Sequence, residues 1–454
     1  MERAKQLAYG FLTCTGRSTI TSMLIAIGQQ FKDWSAAYRL FWHERTNMNT
    51  VFEELTKISF EQLSPSQMIV IHMDDTIIRK TGKTIPGTGW KRDPLGPAFH
   101  TNLIWSQRFI QTSISLPGDT FHSQAKSIPI DFHHAPSVKK PGKKASEQEM
   151  QIFKEERKIH NMSVAGLARI KEIRKRMDGC GAAEREIYLS VDGSYTNATI
   201  LRSLPKNVTL IGRIRKDAKL YYLPDTEKTK GRNKVYGEQA PTPEQIRQDD
   251  TIPWQEVEGW AAGKKHTFKV KIVHSLRWRK SGKKQLFQLV VIKPLGYRKE
   301  KGGKLLYRQP AYLICTDNGL VIEKLLQAYL WRWEIEVNFR EEKTVNGCGK
   351  AQVWNEKASY KVPQFGVAMH GLMHLAQYIC DKSKLNCFLP KAKWEKNDPT
   401  ARPSTNNLLN AFRGYYWYGF EQKSFCNFVQ KQQTIAKLKN VAVSPILSVF
   451  YQRN

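Results

Sequence analysis

Apolar runs of strand length fill the middle of this chain, and helical periodicity fills its two ends. QMIVIHM and EIYLSV are continuous apolar stretches, the pattern of strands buried on both faces rather than half-exposed ones. Each runs into acid, the first into Asp74 and Asp75 and the second into Asp192. FHTNLIWSQRFIQTSISLP reads as two further strands, VTLIGRIR as another, and SEQEMQIFKEERKIHNMSVAGLARIKEIRKRM as one helix over about 146–177. Strands and helices in alternation predict an α/β sheet. From 217 to about 310 the pattern turns β-rich. KHTFKVKIVHSL alternates Thr267, Lys269 and Lys271 against Phe268, Val270 and Ile272, and QLFQLVVIK follows beyond the glycine- and lysine-rich turn RKSGKK.

The first 65 residues predict short helices, with Ser18 placed like an N-cap. They suit a recognition domain or a packing subdomain equally. VPQFGVAMHGLMHLAQYIC has the periodicity of a buried helix, and helical segments are expected again beyond 381. The organisation expected is therefore a helical segment 1–65, a core in two parts at 66–216 and 311–380, a β-rich insertion at 217–310, and a helical tail 381–454.

One helical segment, AYLWRWEIEVNFREEK, carries unusual chemistry. On a single helix at about 100° per residue, Tyr329, Arg332, Glu336 and Lys343 fall within a sector of roughly 60°. A phenol, a guanidinium, a carboxylate and an ammonium then share one stripe. A solvated face with i,i+4 ion pairs has the same pattern. Asp75, Asp192 and Glu336 are costly to bury unless a partner neutralises them, and carboxylate oxygens suit a hard divalent cation such as Mg²⁺.

Charge fixes the class of partner. The chain has 454 residues with 72 Lys and Arg against 41 Asp and Glu, a formal net charge of +31, and such an excess calls for a polyanion. Basic clusters at 139–144, 228–234, 277–284 and 298–304 are interleaved with Trp254, Trp260, Trp278 and Tyr297, which makes base stacking available beside phosphate neutralisation. Seven cysteines without CxxC spacing indicate neither disulfides nor a zinc site. His370 and His374, four apart on an apolar helix, read as core histidines, and His133 and His134 as structural. MERAKQLAYGF has no apolar leader and SMLIAIG is too short for a membrane span, so a cytoplasmic protein is expected.

The spacing Y-x2-R-x3-E-x6-K, matched by Tyr329, Arg332, Glu336 and Lys343, together with Asp75 before Thr76 and Asp192 after EIYLSV, resembles bacterial insertion-sequence transposases of the DDE class, in the insertion sequence four family. The resemblance covers about 66–380. It implies an RNase H-like mixed sheet interrupted by an all-β insertion, with Asp75, Asp192 and Glu336 holding two Mg²⁺ ions that Mn²⁺ replaces. Asp75 is taken over Asp74 because the family places its aspartate before threonine. Double-stranded DNA is the implied partner, as transposon ends and target, with a dimer in the DNA complex, in the bacterial nucleoid and away from membranes. Tyr329, Arg332 and Lys343 would grip its phosphates. The 144 residues between Asp192 and Glu336 leave room for the insertion, since core connections usually run about 2 to 6 residues. Where the family has a tryptophan that holds a flipped base, this chain has Tyr312, a base wedge or a core residue. Two rivals are a structure-selective nuclease that does not join ends and a non-catalytic DNA-binding derivative.

Overall fold

A computed structural model of the chain describes residues 2–424 other than 30–32, 44–45, 98, 119, 121–122, 225–232, 283–284, 299–301, 384–391 and 394–403. Lys228, Lys230, Arg232, Lys283, Lys284, Lys299 and Lys301 of the basic clusters lie outside the described residues, as does most of the 381–454 segment. The chain divides into two compact units, residues 1–47 with 340–454 and residues 48–339.

The first unit is helical. It begins with α1 (Glu2–Thr13), α2 (Ile20–Ala26) and α3 (Ser35–Trp42). Thr19, rather than Ser18, caps α2, its hydroxyl accepting from the Ser22 amide at 3.2 Å; an oxygen there satisfies an amide the helix leaves unpaired. Gly10 lets α1 and α2 approach closely, since a Cβ there would lie 2.2 Å from the Met23 carbonyl oxygen.

The second unit begins with α4 (Met48–Glu61), β1 (Ile69–Arg79), β2 (Gly89–Arg92), β3 (Leu103–Pro117) and β4 (Ala125–His134). β3 is a single strand of 15 residues where two were expected. It is long enough to pair with β1, β2 and β4 along different parts of its length. Next come α5 (Glu147–Ile159) and α6 (Met162–Met177), which replace the single helix expected over 146–177. Asn161 makes the division, its side chain accepting from the Val164 amide at 2.9 Å to start a new helix. A π-helical turn, Asp178–Ala182, closes α6. Buried Arg174 holds that turn, donating to Asp178 and to the carbonyls of Ala182, Arg185 and Asn207.

The unit continues through β5 (Ile187–Val191), α7 (Ala198–Leu201), β6 (Val208–Arg213), β7 (Leu220–Tyr221), α8 (Pro243–Gln248), β8 (Gln255–Ala261), β9 (Lys264–Trp278), β10 (Phe287–Ile292), β11 (Gly296–Tyr297), β12 (Leu306–Tyr307), β13 (Ala311–Cys315) and α9 (Ile322–Trp331). α10 (Trp333–Thr344) crosses from the second unit into the first, which then ends with α11 (Glu356–Lys382) and α12 (Thr405–Ser424). In the first unit, Phe365 of α11 meets Phe41 edge-on at 5.4 Å. Arg413 of α12 donates to the carbonyls of Leu12 and Cys14, closing the end of α1.

Among the described residues eleven strands form one mixed sheet. Its core runs β4-β3-β1-β5-β6, with β1, β5 and β6 parallel and β3 antiparallel to both of its neighbours, β1 and β4, the RNase H-like order. The β-rich segment adds strands to this same sheet: β13 pairs with β6, β10 with β13 and β9 with β10. Period-2 alternation gives β1 two buried faces. Ile71 and Met73 line a small void with Ile170 and Ile173 of α6. Val70 belongs to the apolar cluster of Leu325, Leu326 and Ala328 from α9.

Lys271 is buried completely in β9. Its ammonium donates to the carbonyls of Ile246, Arg247 and Asp249 at 2.5–3.2 Å, closing the end of α8, and lies 4.5 Å from the Trp254 ring centroid. A cation at a helix C-terminus satisfies carbonyls that no amide reaches. The Asp249 carbonyl also accepts from the Ile252 amide at 3.3 Å, so Lys271→Met should take the donor from the Ile246 and Arg247 carbonyls and cost about 2 kcal/mol, read as a lower urea midpoint with an unchanged slope.

Candidate active site

β1 does not end at its aspartates; its parallel partner does. β1 pairs with β5 only as far as Met73 opposite Val191, while β1 itself runs on to Arg79. Asp74, Asp75 and Asp192 thus gather where the parallel pairing opens, at the carboxyl end of β5, the place where sheets of this kind bind ligands.

The alternation of β1 sends its two aspartates to different partners. Asp74 Oδ2 accepts from Arg332 Nη1 at 3.2 Å, and the same guanidinium donates through Nη2 to Glu336 Oε1 at 3.0 Å. Asp75 pairs with Arg108 at 3.3 Å, and Tyr195 Oη donates to its Oδ1 at 3.4 Å. Asp192 closes its own turn, accepting from the amide and hydroxyl of Ser194 at 2.9 and 2.6 Å. Asp192 acts electrostatically on both neighbours. Burial, and then Asp192, push the Asp74 carboxyl up to about 7 against the pull of Arg332. Burial also raises the Asp75 carboxyl, with Arg108 opposing. Burial beside these carboxylates pushes the Tyr195 phenol far up, so it remains a donor.

Gly166 of α6 makes room for that phenol. A Cβ there would lie 2.7 Å from the Tyr195 ring and 3.4 Å from the Met73 methyl.

The expected stripe is carried by two helices. α9 ends at Trp331 and α10 starts at Trp333, with the Arg332 amide on the Tyr329 carbonyl and the Ile335 amide on that of Arg332. These tighter i to i+3 bonds turn the chain at Arg332. Arg332 still reaches Glu336, and its guanidinium lies 5.9 Å from the Tyr329 ring centroid. Lys343 sits in the last turn of α10 and belongs to the first unit. Tyr312 is buried in β13, its hydroxyl bonded to Glu244, which also pairs with Arg247.

A groove of about 950 Å³ opens beside Arg332, lined by residues of the second unit alone. Arg213, Lys264, Lys293, Arg298 and Arg308 give it positive charge, and Trp260, Tyr297, Tyr307, Tyr329 and Trp333 give it aromatic surface. Sequence reasoning missed Arg108, Tyr195 and the pairing partner of Asp74. Tyr195 had a signal, three residues after Asp192, whereas Arg108 reaches Asp75 only through the register of β3 on β1.

A family model described as DDE superfamily endonuclease matches residues 1–285. The chain belongs to that superfamily. No curated protein matches it. DDE membership implies DNA as substrate and divalent metals as cofactors. The match stops short of Glu336.

The donor set suits a hard cation. It offers carboxylate oxygens only, and two of its members are pushed toward protonation by burial and a neighbouring negative charge, the strain a divalent ion relieves. Among the described residues these carboxylates do not gather around one point, because Arg332 lies between Asp74 and Glu336 while Arg108 holds Asp75. No helix among the described residues is long and apolar enough to cross a membrane.

The raised Asp74 carboxyl has a pH consequence. Its folded value of about 7 exceeds the ordinary 3.8, so its contribution to stability is complete below 3.8 and lost as pH rises through 7. In metal-free protein, Asp74→Asn should raise Tm relative to wild type at pH 8 by several degrees more than at pH 5. An equal difference at both pH values would place the negative charge elsewhere.

Proposed function

We propose that the protein is a transposase of the insertion sequence four type, which cleaves transposon ends and joins them to target DNA. The observation that carries this reading is Arg332 linking the β1 acid Asp74 to Glu336 beside a basic, aromatic groove. Asp75, Asp192 and Glu336 would hold Mg²⁺, with Mn²⁺ substituting. When bound, the ions supply Lewis-acid polarisation of the scissile phosphate and activation of a water or 3′-hydroxyl. The chain's own residues do the positioning.

Before loading, Arg332 neutralises Asp74 and Glu336. Released from them, it is placed to grip a neighbouring phosphate, as a planar guanidinium does best. Tyr329 and Lys343 share that task by resemblance. Lysines and arginines of the groove neutralise the backbone, while its tryptophans and tyrosines stack on bases. In the DNA complex the protein acts as a dimer, in the bacterial cytoplasm.

A second assignment of the first acid is favoured by one observation, the contact of Asp74 rather than Asp75 with Arg332. Asp192→Asn and Glu336→Gln should each lower Mg²⁺-dependent cleavage of element ends by about 100- to 1000-fold with end binding retained. Asp75→Asn should do the same. Loss in Asp74→Asn with activity kept in Asp75→Asn would move the ligand to Asp74. Pre-cut ends test the reaction class, because a plain nuclease gives no joined product.

The buried ring of Tyr312 reaches a flipped base only if it leaves Glu244. Tyr312→Ala should permit the first nick and block the second-strand step if it is the wedge. Normal double-strand breaks from this variant would leave Tyr312 a core residue. Arg332→Ala should also reduce the salt dependence of DNA binding by about one unit of log–log slope. An unchanged slope with a lower Tm would make Arg332 a structural ion pair only.

A further inference from the structure

Within the first unit, α10, α11 and α12 meet around a cluster of polar groups that the DNA chemistry does not use. His370 and His374 stand four residues apart on α11, their rings 4.3 Å apart and inclined at 66°. Both are buried, among the Val, Met and Leu side chains of that helix. Glu341 of α10 faces them, and ligand atoms from all three lie within 4.8 Å of one another. Thr405, buried at the start of α12, spans the group: its hydroxyl lies 2.5 Å from Glu341 Oε2 and 3.1 Å from His374 Nε2.

We propose that Glu341, His370 and His374 form a binding site for a divalent transition ion of the Zn²⁺ class, separate from the DDE carboxylates. The donor chemistry selects the ion. Two imidazoles and one carboxylate suit Zn²⁺ and its first-row neighbours, whereas Mg²⁺ wants oxygens and copper(I) wants sulfur. Three protein donors leave a fourth tetrahedral position, and the Thr405 hydroxyl already lies between two of them. In a tetrahedral zinc site ligand atoms stand about 3.4 Å apart, which follows from bonds of about 2.0–2.1 Å. Closing from the present separation takes side-chain shifts of roughly 1 Å, within the reach of rotamer adjustment.

The surrounding contacts hold the histidines in place. The Asn346 side-chain nitrogen lies 2.7 Å from His370 Nδ1 and donates to it. Turning that amide over would set its oxygen against Nδ1, the arrangement in which a neighbouring acceptor fixes the tautomer of a metal-bound imidazole, so ion binding and amide reversal go together. Asn346 is itself held, its carbonyl accepting from the Ser18 hydroxyl at 2.6 Å. An ion here ties α10 to α11, whose ligands Glu341 and His370 are 29 positions apart along the chain, with Thr405 of α12 hydrogen-bonded alongside, so it acts as a structural clip.

The test uses the full chain, stripped with a chelator and then titrated with Zn²⁺ in excess Mg²⁺, which occupies the DDE carboxylates. One Zn²⁺ per chain with micromolar or tighter affinity and a Tm raised by several degrees is expected. Co²⁺ should give the visible absorption of a four-coordinate site with nitrogen donors. Glu341→Gln, His370→Gln and His374→Gln should each abolish binding, while the double variant Asp192→Asn with Glu336→Gln should keep it. No Zn²⁺ bound by the wild type overturns the proposal, and this result does not depend on the variants folding. Zn²⁺ binding kept by the histidine variants and lost from the double variant also overturns it, assigning the ion to the DDE carboxylates.

Discussion

Like charges held side by side at the edge of a sheet repel, and burial deprives them of the water that would screen them. Asp74, Asp75 and Asp192 meet in that setting, and two cations make it tolerable. Arg332 lies between Asp74 and Glu336, while Arg108 holds Asp75. The turn between α9 and α10 places Arg332 where it reaches a strand on one side and the next helical turn on the other. Removing either arginine would leave buried carboxylates without compensation, so the arrangement is sensitive to both cations. The Arg332 guanidinium lies between the Asp74 and Glu336 carboxylates, so a cation held by either acid would take over part of the compensation that Arg332 supplies.

Apolar runs made β1 and β5 legible in the sequence, because strands covered on both faces have no polar alternation to confuse them. The acids following those runs were legible for the same reason. Spacing along AYLWRWEIEVNFREEK was sufficient to place Arg332 beside Glu336, although a turn divides the helix there. Pairings across strands left no local trace. Arg108 is 33 positions from Asp75 and nothing around it marks it as a partner; only the β1–β3 register does. β3 read as two strands because Ser106, Gln107 and Arg108 interrupt its apolar character, yet all three sit in one continuous ladder. His370 and His374 read as core residues because Met, Leu and Val surround them and no Glu follows His370, and both are buried; their neighbour Glu341 comes from a different helix, which no spacing rule within α11 reveals.

Charge in this protein is organised on two scales. The excess of +31 attracts a polyanion over distances of about a Debye length, roughly 10 Å at moderate salt. On the shorter scale, the groove wall brings together arginines, lysines and flat aromatic rings. Strands of the β-rich segment build that wall and hydrogen-bond through β10 and β13 to β6. The basic, aromatic groove and the strands that carry the acids are thus parts of one ladder, and the backbone pairing sets the distance between them.

Gly166 illustrates what such a site demands of residues that never touch a substrate. A glycine within a helix costs roughly 1 kcal/mol relative to alanine, and by propensity alone α6 would be better with a methyl group there. The Tyr195 ring occupies the space that methyl would need. Substitution by alanine would improve the helix and displace the phenol that donates to Asp75, so local stability and acid placement pull in opposite directions at this position. Directed evolution for thermostability, left to act on α6, would be drawn to a change that the acid layer does not accommodate.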